Sequence, residues 1–147
     1  MPTVPSGVKR GAEEPYDDGV GGCVPERQNG GLERVVDAYV AAWNAAAPSD
    51  RRALLEEAVT DDFVFEGPTG SFKGREAVVG FIAEMQQRMP CTEVVRRGPA
   101  TAAGAFVEFG WEIRNTASGA RLLGGADWAD VGDDGRLTRV EMKHMEA

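Results

Sequence analysis

The stretch RVVDAYVAAWNA (residues 34–45) is the first part of this chain in which apolar residues recur with a regular period, as they do in a folded domain. Together with Leu32 just before it, the apolar residues recur three and four positions apart, which is the spacing of one face of an α-helix. The pattern predicts an amphipathic helix with Tyr39 and Trp43 on its apolar side.

The segment before this helix has a different composition. Residues 1–30 contain six glycines and four prolines, and their few apolar residues follow neither a helical nor a strand period. Such a segment buries too little apolar surface to offset its chain entropy. We therefore expect a disordered tail over residues 1–30 and a single folded domain over residues 31–147.

The chain after the first helix predicts two more helices and then mainly strands. Ser49 or Asp50 can cap a second helix that runs to Val59, and a third is expected from about Gly74 to Arg88. The predicted strands are Asp62–Glu66, Thr92–Arg97, Ala105–Arg114, Arg121–Val131 and Arg136–Met145. Segregated helices and strands predict an α+β fold, in which the helices cover one face of a curved antiparallel sheet.

Composition narrows the classes of partner. The chain has 147 residues, 42% of them hydrophobic and 27% charged, with a formal net charge of -8. This acidic excess argues against nucleic acid and against an anionic membrane surface, since both attract lysine and arginine. No run of 18 apolar residues is present to span a membrane, so a cytoplasmic location is the default expectation. One histidine and two distant cysteines predict neither a metal site nor a cofactor.

Three motifs resemble one known superfamily in their order and spacing. RVVDAYVAAWNA (34–45) resembles the first helix of ketosteroid isomerases and SnoaL-like polyketide cyclases. FEGP (65–68) followed by KGREA (73–77) resembles the strand and helix start that come next, and GADW (125–128) followed by DGRL (134–137) resembles the penultimate hairpin. The likeness covers about residues 31–145 and indicates the nuclear transport factor 2-like superfamily.

The resemblance implies an architecture and a kind of partner. Members of this superfamily form a cone-shaped α+β barrel, a curved antiparallel sheet closed by three helices from the N-terminal side. A deep apolar pocket at the wide end implies a small hydrophobic molecule as the ligand. The resemblance also implies a homodimer formed through the outer face of the sheet.

The same resemblance implies two hydrogen-bond donors in the pocket. Tyr39 falls where steroid-type isomerases place a tyrosine that donates to the substrate oxygen, and Asp127 falls where they place a protonated aspartic acid. In SnoaL-like cyclases an acidic residue near the same strand transfers protons. The catalytic base of the isomerases falls on Gly67, which has no side chain to accept a proton. Strand alternation independently puts Asp127 between small residues, where burial would raise the pKa of its carboxyl group.

Two other residues are candidates for the missing base. His144 is the only histidine and shares strand parity with Val140 and Met142, so it would face the pocket if that side of the strand does. Glu66 points away from Phe65 unless a bulge turns it inward. The predicted pocket residues, which the sequence does not separate from plain core, are Trp43, Phe63, Phe65, Glu66, Phe81, Met85, Phe109, Trp111 and Met142.

Two functions compete at this point. One is an enzyme in which Asp127 and Tyr39 stabilise the enolate of a carbonyl compound during isomerisation, cyclisation or dehydration, while His144, Glu66 or a water moves the proton. The other is a ligand-binding or dimerisation module without chemistry, which the glycine at the base position favours.

Overall fold

The computed structural model describes residues 23–104 and 106–146 of the chain, with three helices and six strands among them. The helices are α1 (Cys23–Asn44), α2 (Pro48–Ala58) and α3 (Arg75–Arg88). The strands are β1 (Val59–Gly67), β2 (Gly70–Lys73), β3 (Thr92–Ala103), β4 (Phe106–Asn115), β5 (Arg121–Val131) and β6 (Leu137–Glu146). The described residues belong to two units, which divide between Leu32 and Glu33. The described part of the first unit is helical, and the second holds the sheet.

The sheet has the spatial order β2-β1-β6-β5-β4-β3. Neighbouring strands run antiparallel except β1 and β6, which pair in parallel. The predicted α+β class with a curved sheet is confirmed, but the sheet is mixed, and it is open rather than a closed barrel because β2 and β3 are unpaired edges among the described strands. The parallel pair arises because β1 and β6 are not joined by a hairpin. Instead, α3 carries the chain from β2 to the far edge of the sheet.

The strand boundaries follow the predictions except at three places. Strand β2 is missing from the prediction, because its four residues are too short to show alternation. Strand β3 continues past Arg97 to Ala103, since a register shift between Arg97 and Thr101 lets the strand absorb Gly98 and Pro99. Strand β1 begins three residues before the predicted Asp62, directly at the end of α2.

The predicted tail differs from the structure in its last part. Residues 1–22 lie outside the described residues, so disorder there stays a prediction. Residues 23–30 are part of α1. Pro25 is tolerated in this first turn because its missing N–H would have no helical partner there. The adjacent Gly30 and Gly31 are poor helix formers and add no apolar side chain to the pattern, so the sequence did not predict a helix there.

The core lies between the helices and one face of the sheet, which we call the inner face. This face carries Phe63, Phe109 and Val140, all of them buried. The helices contribute Val36, Ala42, Leu55, Val78 and Ile82 to the same core. Within the described ranges, no helix combines the length and the apolar character needed to cross a membrane.

A buried arginine joins the three helices. Arg51 on α2 is only 3% exposed, and its guanidinium donates to the carbonyl of Ala45 at 2.9 Å and to the side-chain oxygen of Gln86 on α3 at 2.7 Å. The amide of Gln86 in turn donates to the carbonyls of Trp43 and Ala45, both at 2.8 Å. A cation and an amide therefore satisfy carbonyls at and just beyond the C-terminal end of α1, where the helix dipole favours positive charge.

We predict that Arg51→Ala lowers the free energy of unfolding by about 2–4 kcal/mol, because it leaves buried polar groups without partners. Arg52→Ala is the matched control, since Arg52 is the next residue of α2 and has one ion pair, with Glu76, at 49% side-chain exposure. An exposed pair of this kind contributes at most about 1 kcal/mol. Urea unfolding of both variants measures the difference, and equal losses would contradict the role given to Arg51.

Candidate functional site

A cavity of about 330 Å3 lies between α1, α3 and the inner face of the sheet. Its closed end is formed by buried side chains, among them Tyr39, Phe109 and Asp127, and its open end by the exposed Arg88 and Met145. Cavities that hold drug-sized ligands have volumes from about 300 to about 1,000 Å3, so this one is near the lower end of that range. The remaining lining residues are Val40, Trp43, Phe65, Pro68, Thr69, Phe81, Met85, Met89, Val94, Trp111, Ile113, Leu123 and Met142.

Asp127 is a buried carboxyl group in the wall of this cavity. It is 5% exposed, and Trp111 Nε1 donates to its Oδ1 at 2.9 Å. Burial raises the pKa of Asp127 to about 7, and the hydrogen bond from Trp111 opposes that rise because it favours the charged form. The carboxyl group is therefore poised to hold or release a proton near neutral pH.

The register of β4 and β5 explains how Trp111 reaches Asp127. Phe109 pairs directly with Asp127 and Trp111 pairs with Gly125, so the indole approaches the carboxyl group diagonally. Glycine at 125 is what makes the approach possible, since a Cβ there would lie 2.6 Å from Trp111 Cζ2 and would also clash with the carbonyl oxygen of His144. Gly125 therefore leaves the space that Trp111 occupies. The sequence predicted Trp111 only as a pocket-lining residue, and not as the hydrogen-bond donor to Asp127.

Tyr39 lies on α1 with its ring surrounded by other aromatic rings. The centroids of Trp43, Phe63 and Phe109 are 6.3, 6.0 and 6.1 Å away, all in edge-on arrangements. The side chain is 2% exposed, and Tyr39 Oη has no hydrogen-bond partner among the described residues. Burial raises the pKa of Tyr39 well above its ordinary value, the nearby charge of Asp127 adds to the rise, and the neighbouring indole N–H of Trp43 opposes it without reaching hydrogen-bond geometry. Tyr39 is therefore a hydrogen-bond donor without an acceptor.

The placement of His144 in the pocket is wrong. Asp127 pairs with Met142, but the next residue back on β5, Ala126, pairs with His144, so one extra residue, Lys143, forms a bulge in β6. The bulge moves His144 to the outer face of the sheet, where Nε2 lies 2.8 Å from Glu146 Oε2. Strand parity fails here because an inserted residue reverses it.

Glu66 and Phe63 also lie outside the lining of the cavity. Glu66 forms an ion pair with Arg139 and lines a separate surface cleft, as strand parity without a bulge would place it. Phe63 is fully buried core. At the vacant base position, a Cβ on Gly67 would lie 2.9 Å from Phe65 Cε2, so the ring of Phe65 occupies the space that a larger side chain would need.

The other predicted residues do line the cavity, although their roles stay predictions. They are Tyr39, Trp43, Phe65, Phe81, Met85, Phe109, Trp111, Asp127 and Met142. Sequence reasoning missed the open end, where Arg88, Met89 and Met145 lie. The four-residue spacing of Met85 and Met89 was a usable signal for one side of it. Met145 could not be placed without knowing about the bulge. Among the described residues, no cluster of histidine, cysteine, aspartate or glutamate is arranged to hold a metal ion.

We predict that Trp111→Phe raises the pKa of Asp127 further above about 7, by about one unit, because the carboxylate loses a hydrogen bond. Trp128→Phe is the matched control, since Trp128 stacks on Phe106 at 5.1 Å and does not line the cavity. The 13C shift of the Asp127 carboxyl carbon followed against pH measures both variants. A midpoint that stays in place in Trp111→Phe would show that the hydrogen bond does not tune the acid.

The raised pKa of Asp127 also predicts how stability depends on pH. The ordinary pKa is 3.8 and the folded one about 7, so between these values the folded state keeps a proton that the unfolded state has released. This contribution is complete below pH 3.8 and is lost at about 1.4 kcal/mol per pH unit as the pH rises to the folded pKa. The advantage of wild type over Asp127→Asn in free energy of unfolding should therefore decline by a few kcal/mol over that window. Urea unfolding at a series of pH values tests this, and a constant difference would contradict it.

Comparison with known proteins identifies the family. The family model described as the SnoaL-like domain matches residues 36–140, and the chain therefore belongs to the SnoaL-like family. No curated protein matches the sequence.

Several solved structures share the fold. A candidate isomerase of the SnoaL-like family from Agrobacterium tumefaciens str. C58 has a TM-score of 0.70 at 24% identity, covering 80% of this chain and 97% of its own. A candidate polyketide cyclase from Sinorhizobium meliloti has a TM-score of 0.58 at 16% identity, with 74% and 93% covered. A nuclear transport factor 2-like protein of unknown function from Exiguobacterium sp. 255-15 has a TM-score of 0.62 at 17% identity, with 77% and 99% covered. At these identities the likeness shows the fold, which is that of the nuclear transport factor 2-like superfamily.

Proposed function

We propose that this member of the SnoaL-like family binds a small, mainly apolar carbonyl compound in its cavity and transfers a proton at the carbon next to the carbonyl group. The observation that carries the proposal is Tyr39 Oη, a buried hydroxyl in the cavity wall with no partner among the described residues. An unpaired buried hydroxyl destabilises the empty protein. A ligand oxygen that accepts its hydrogen bond would remove that cost.

Asp127 is the group best suited to move the proton. Its pKa of about 7 leaves both protonation states populated at neutral pH, which is the condition for efficient acid–base catalysis. His144 and Glu66 do not line the cavity, and Gly67 has no side chain. Of the described residues around the cavity, Asp127 is therefore the only carboxyl group available to the ligand.

The proposed step begins with ionised Asp127, which takes a proton from the carbon next to the carbonyl group. The C–H electron pair forms the new C=C bond, and the carbonyl electrons move to the oxygen to give an enolate. Tyr39 donates a hydrogen bond to that oxygen and stays protonated, because burial raises its pKa. In these apolar surroundings the donor is preorganised toward the charge that develops.

Two outcomes of the enolate fit the family. Where the substrate also has a C=C bond next to the deprotonated carbon, the enolate is a dienolate, and protonated Asp127 can return its proton to the far carbon of that bond, which is an isomerisation. Alternatively, the enolate carbon can attack a second carbonyl group of the same molecule, which is an aldol cyclisation, with the proton of Asp127 passing to the new alkoxide. The descriptions of two similar structures as a candidate isomerase and a candidate polyketide cyclase support this range.

A binding module without chemistry is the second candidate function. It is favoured by Gly67 and by the ring of Phe65 beside it, which together leave the base position of the isomerases without a functional group. In this case Tyr39 and Asp127 would anchor the ligand oxygen, and no covalent change would follow.

2-Naphthol, a flat mimic of an enolate, tests the binding part of the proposal. We expect it to bind wild type and to bind Tyr39→Phe about tenfold more weakly, since one hydrogen bond to a buried oxygen contributes about 1.4 kcal/mol. Trp128→Phe is the control, because Trp128 does not line the cavity. Calorimetric titration that gives the same affinity for all three proteins would show that Tyr39 does not donate to the ligand oxygen.

2-Tetralone, a bicyclic ketone with acidic hydrogens at C1, separates the enzyme from the binding module. In D2O, wild type should exchange those hydrogens faster than buffer, and Asp127→Asn should lose the acceleration, as 1H NMR can follow. The rate should rise with pH through about 7 as Asp127 ionises. Binding without any acceleration of exchange would favour the module instead.

A further inference from the structure

The charged residues around the cavity indicate a second polar group on the ligand, in addition to the oxygen that accepts from Tyr39. Among the described lining residues, Asp127 is the one acid and Arg88 the one cation. Asp127 is buried at the closed end, whereas the side chain of Arg88 is 66% exposed and lies at the opening. The two polar ends are separated by walls that are almost entirely apolar.

Arg88 has capacity to bind an anion at this opening. Its described contact is an ion pair from one terminal nitrogen, Nη2, to Glu84 on the same helix at 2.7 Å. Exposed pairs four residues apart on a helix contribute only a few tenths of a kcal/mol, so the guanidinium exchanges partners easily. A guanidinium has five N–H donors arranged to fit a carboxylate in a fork.

The walls between the two ends favour a flat ligand. Six aromatic side chains line the cavity, namely Tyr39, Trp43, Phe65, Phe81, Phe109 and Trp111. Rings of this kind pack face or edge against a planar partner. The wall also contains every methionine after Met1, namely Met85, Met89, Met142 and Met145. Methionine side chains adapt to different shapes, so the body of the ligand can vary there.

We propose that the ligand is a flat keto or hydroxy carboxylic acid, which enters with its carbonyl or hydroxyl oxygen first and leaves its carboxylate at the opening against Arg88. This inference rests on the proposed function and adds the second polar group. The reverse orientation would bury a carboxylate beside Asp127 among apolar walls, where desolvation and like charge both oppose it. Because the protein carries a formal net charge of -8, a local cation favours the binding of an anionic group at this opening.

A pair of ligands isolates the contribution of Arg88. 6-Hydroxy-2-naphthoate carries the hydroxyl group of 2-naphthol at one end and a carboxylate at the other. We expect wild type to bind it about five- to tenfold more tightly than 2-naphthol at low salt, and Arg88→Gln to lose that preference while its affinity for 2-naphthol stays unchanged. Added salt should weaken only the binding of the carboxylate.

Arg52→Gln is the matched control, because Arg52 is also an exposed helical arginine paired with a glutamate but does not line the cavity. Its preference for the carboxylate should equal that of wild type. Equal affinity of wild type for the two ligands, or a preference that survives in Arg88→Gln, would overturn the assignment while the proposed function stands. Failure of wild type to bind either ligand would instead reject the proposed function, and this inference with it.

Discussion

The position of the helices over the sheet depends on one buried guanidinium. Arg51 reaches from α2 to the chain at the end of α1 and to Gln86 on α3, so the ends of three helices share one set of hydrogen bonds. The same Gln86 holds the carbonyl of Trp43, one turn after Tyr39. The helical wall of the cavity is therefore held in place by Arg51 and Gln86, which do not line the cavity. The residues of α1 and α3 that do line it can for this reason be mainly apolar.

The sheet fixes the other wall through a glycine. Gly125 lets the indole of Trp111 lie close to β5 and donate to Asp127. This one bond has two consequences, since it holds the carboxyl group in place and limits the rise in its pKa that burial causes. A buried carboxyl group without such a donor would stay protonated well above neutral pH. With the donor, Asp127 remains able to exchange a proton under neutral conditions.

The sequence predicts those features that depend on residues within one helix or strand, and it fails for those that depend on contacts between elements. The face of α1 and the bounds of β5 are set by periods within one element, and they were predictable. The bulge at Lys143 depends on which residues pair across two strands, so parity placed His144 on the wrong face. The burial of Arg51 was invisible because a charged residue on a helix is exposed by default, and only the position of α1 gives it partners. The open end of the cavity escaped prediction because it combines the end of a helix with residues beyond the bulge.

Gly67 and Asp127 together constrain the proposed chemistry. Where the related isomerases are expected to divide the work between a base and a separate acid, this cavity offers one carboxyl group and a tyrosine whose pKa is too high for it to give up its proton. A single carboxyl group that removes a proton is on one face of the substrate, and it can return that proton only to the same face. Any isomerisation here must therefore be suprafacial. A cyclisation avoids this restriction, since the new alkoxide takes the proton and the carbon that lost it forms a carbon–carbon bond. A single carboxyl group thus supports a suprafacial isomerisation and a cyclisation alike, and the two reactions differ in whether its proton returns to carbon or goes to the new alkoxide.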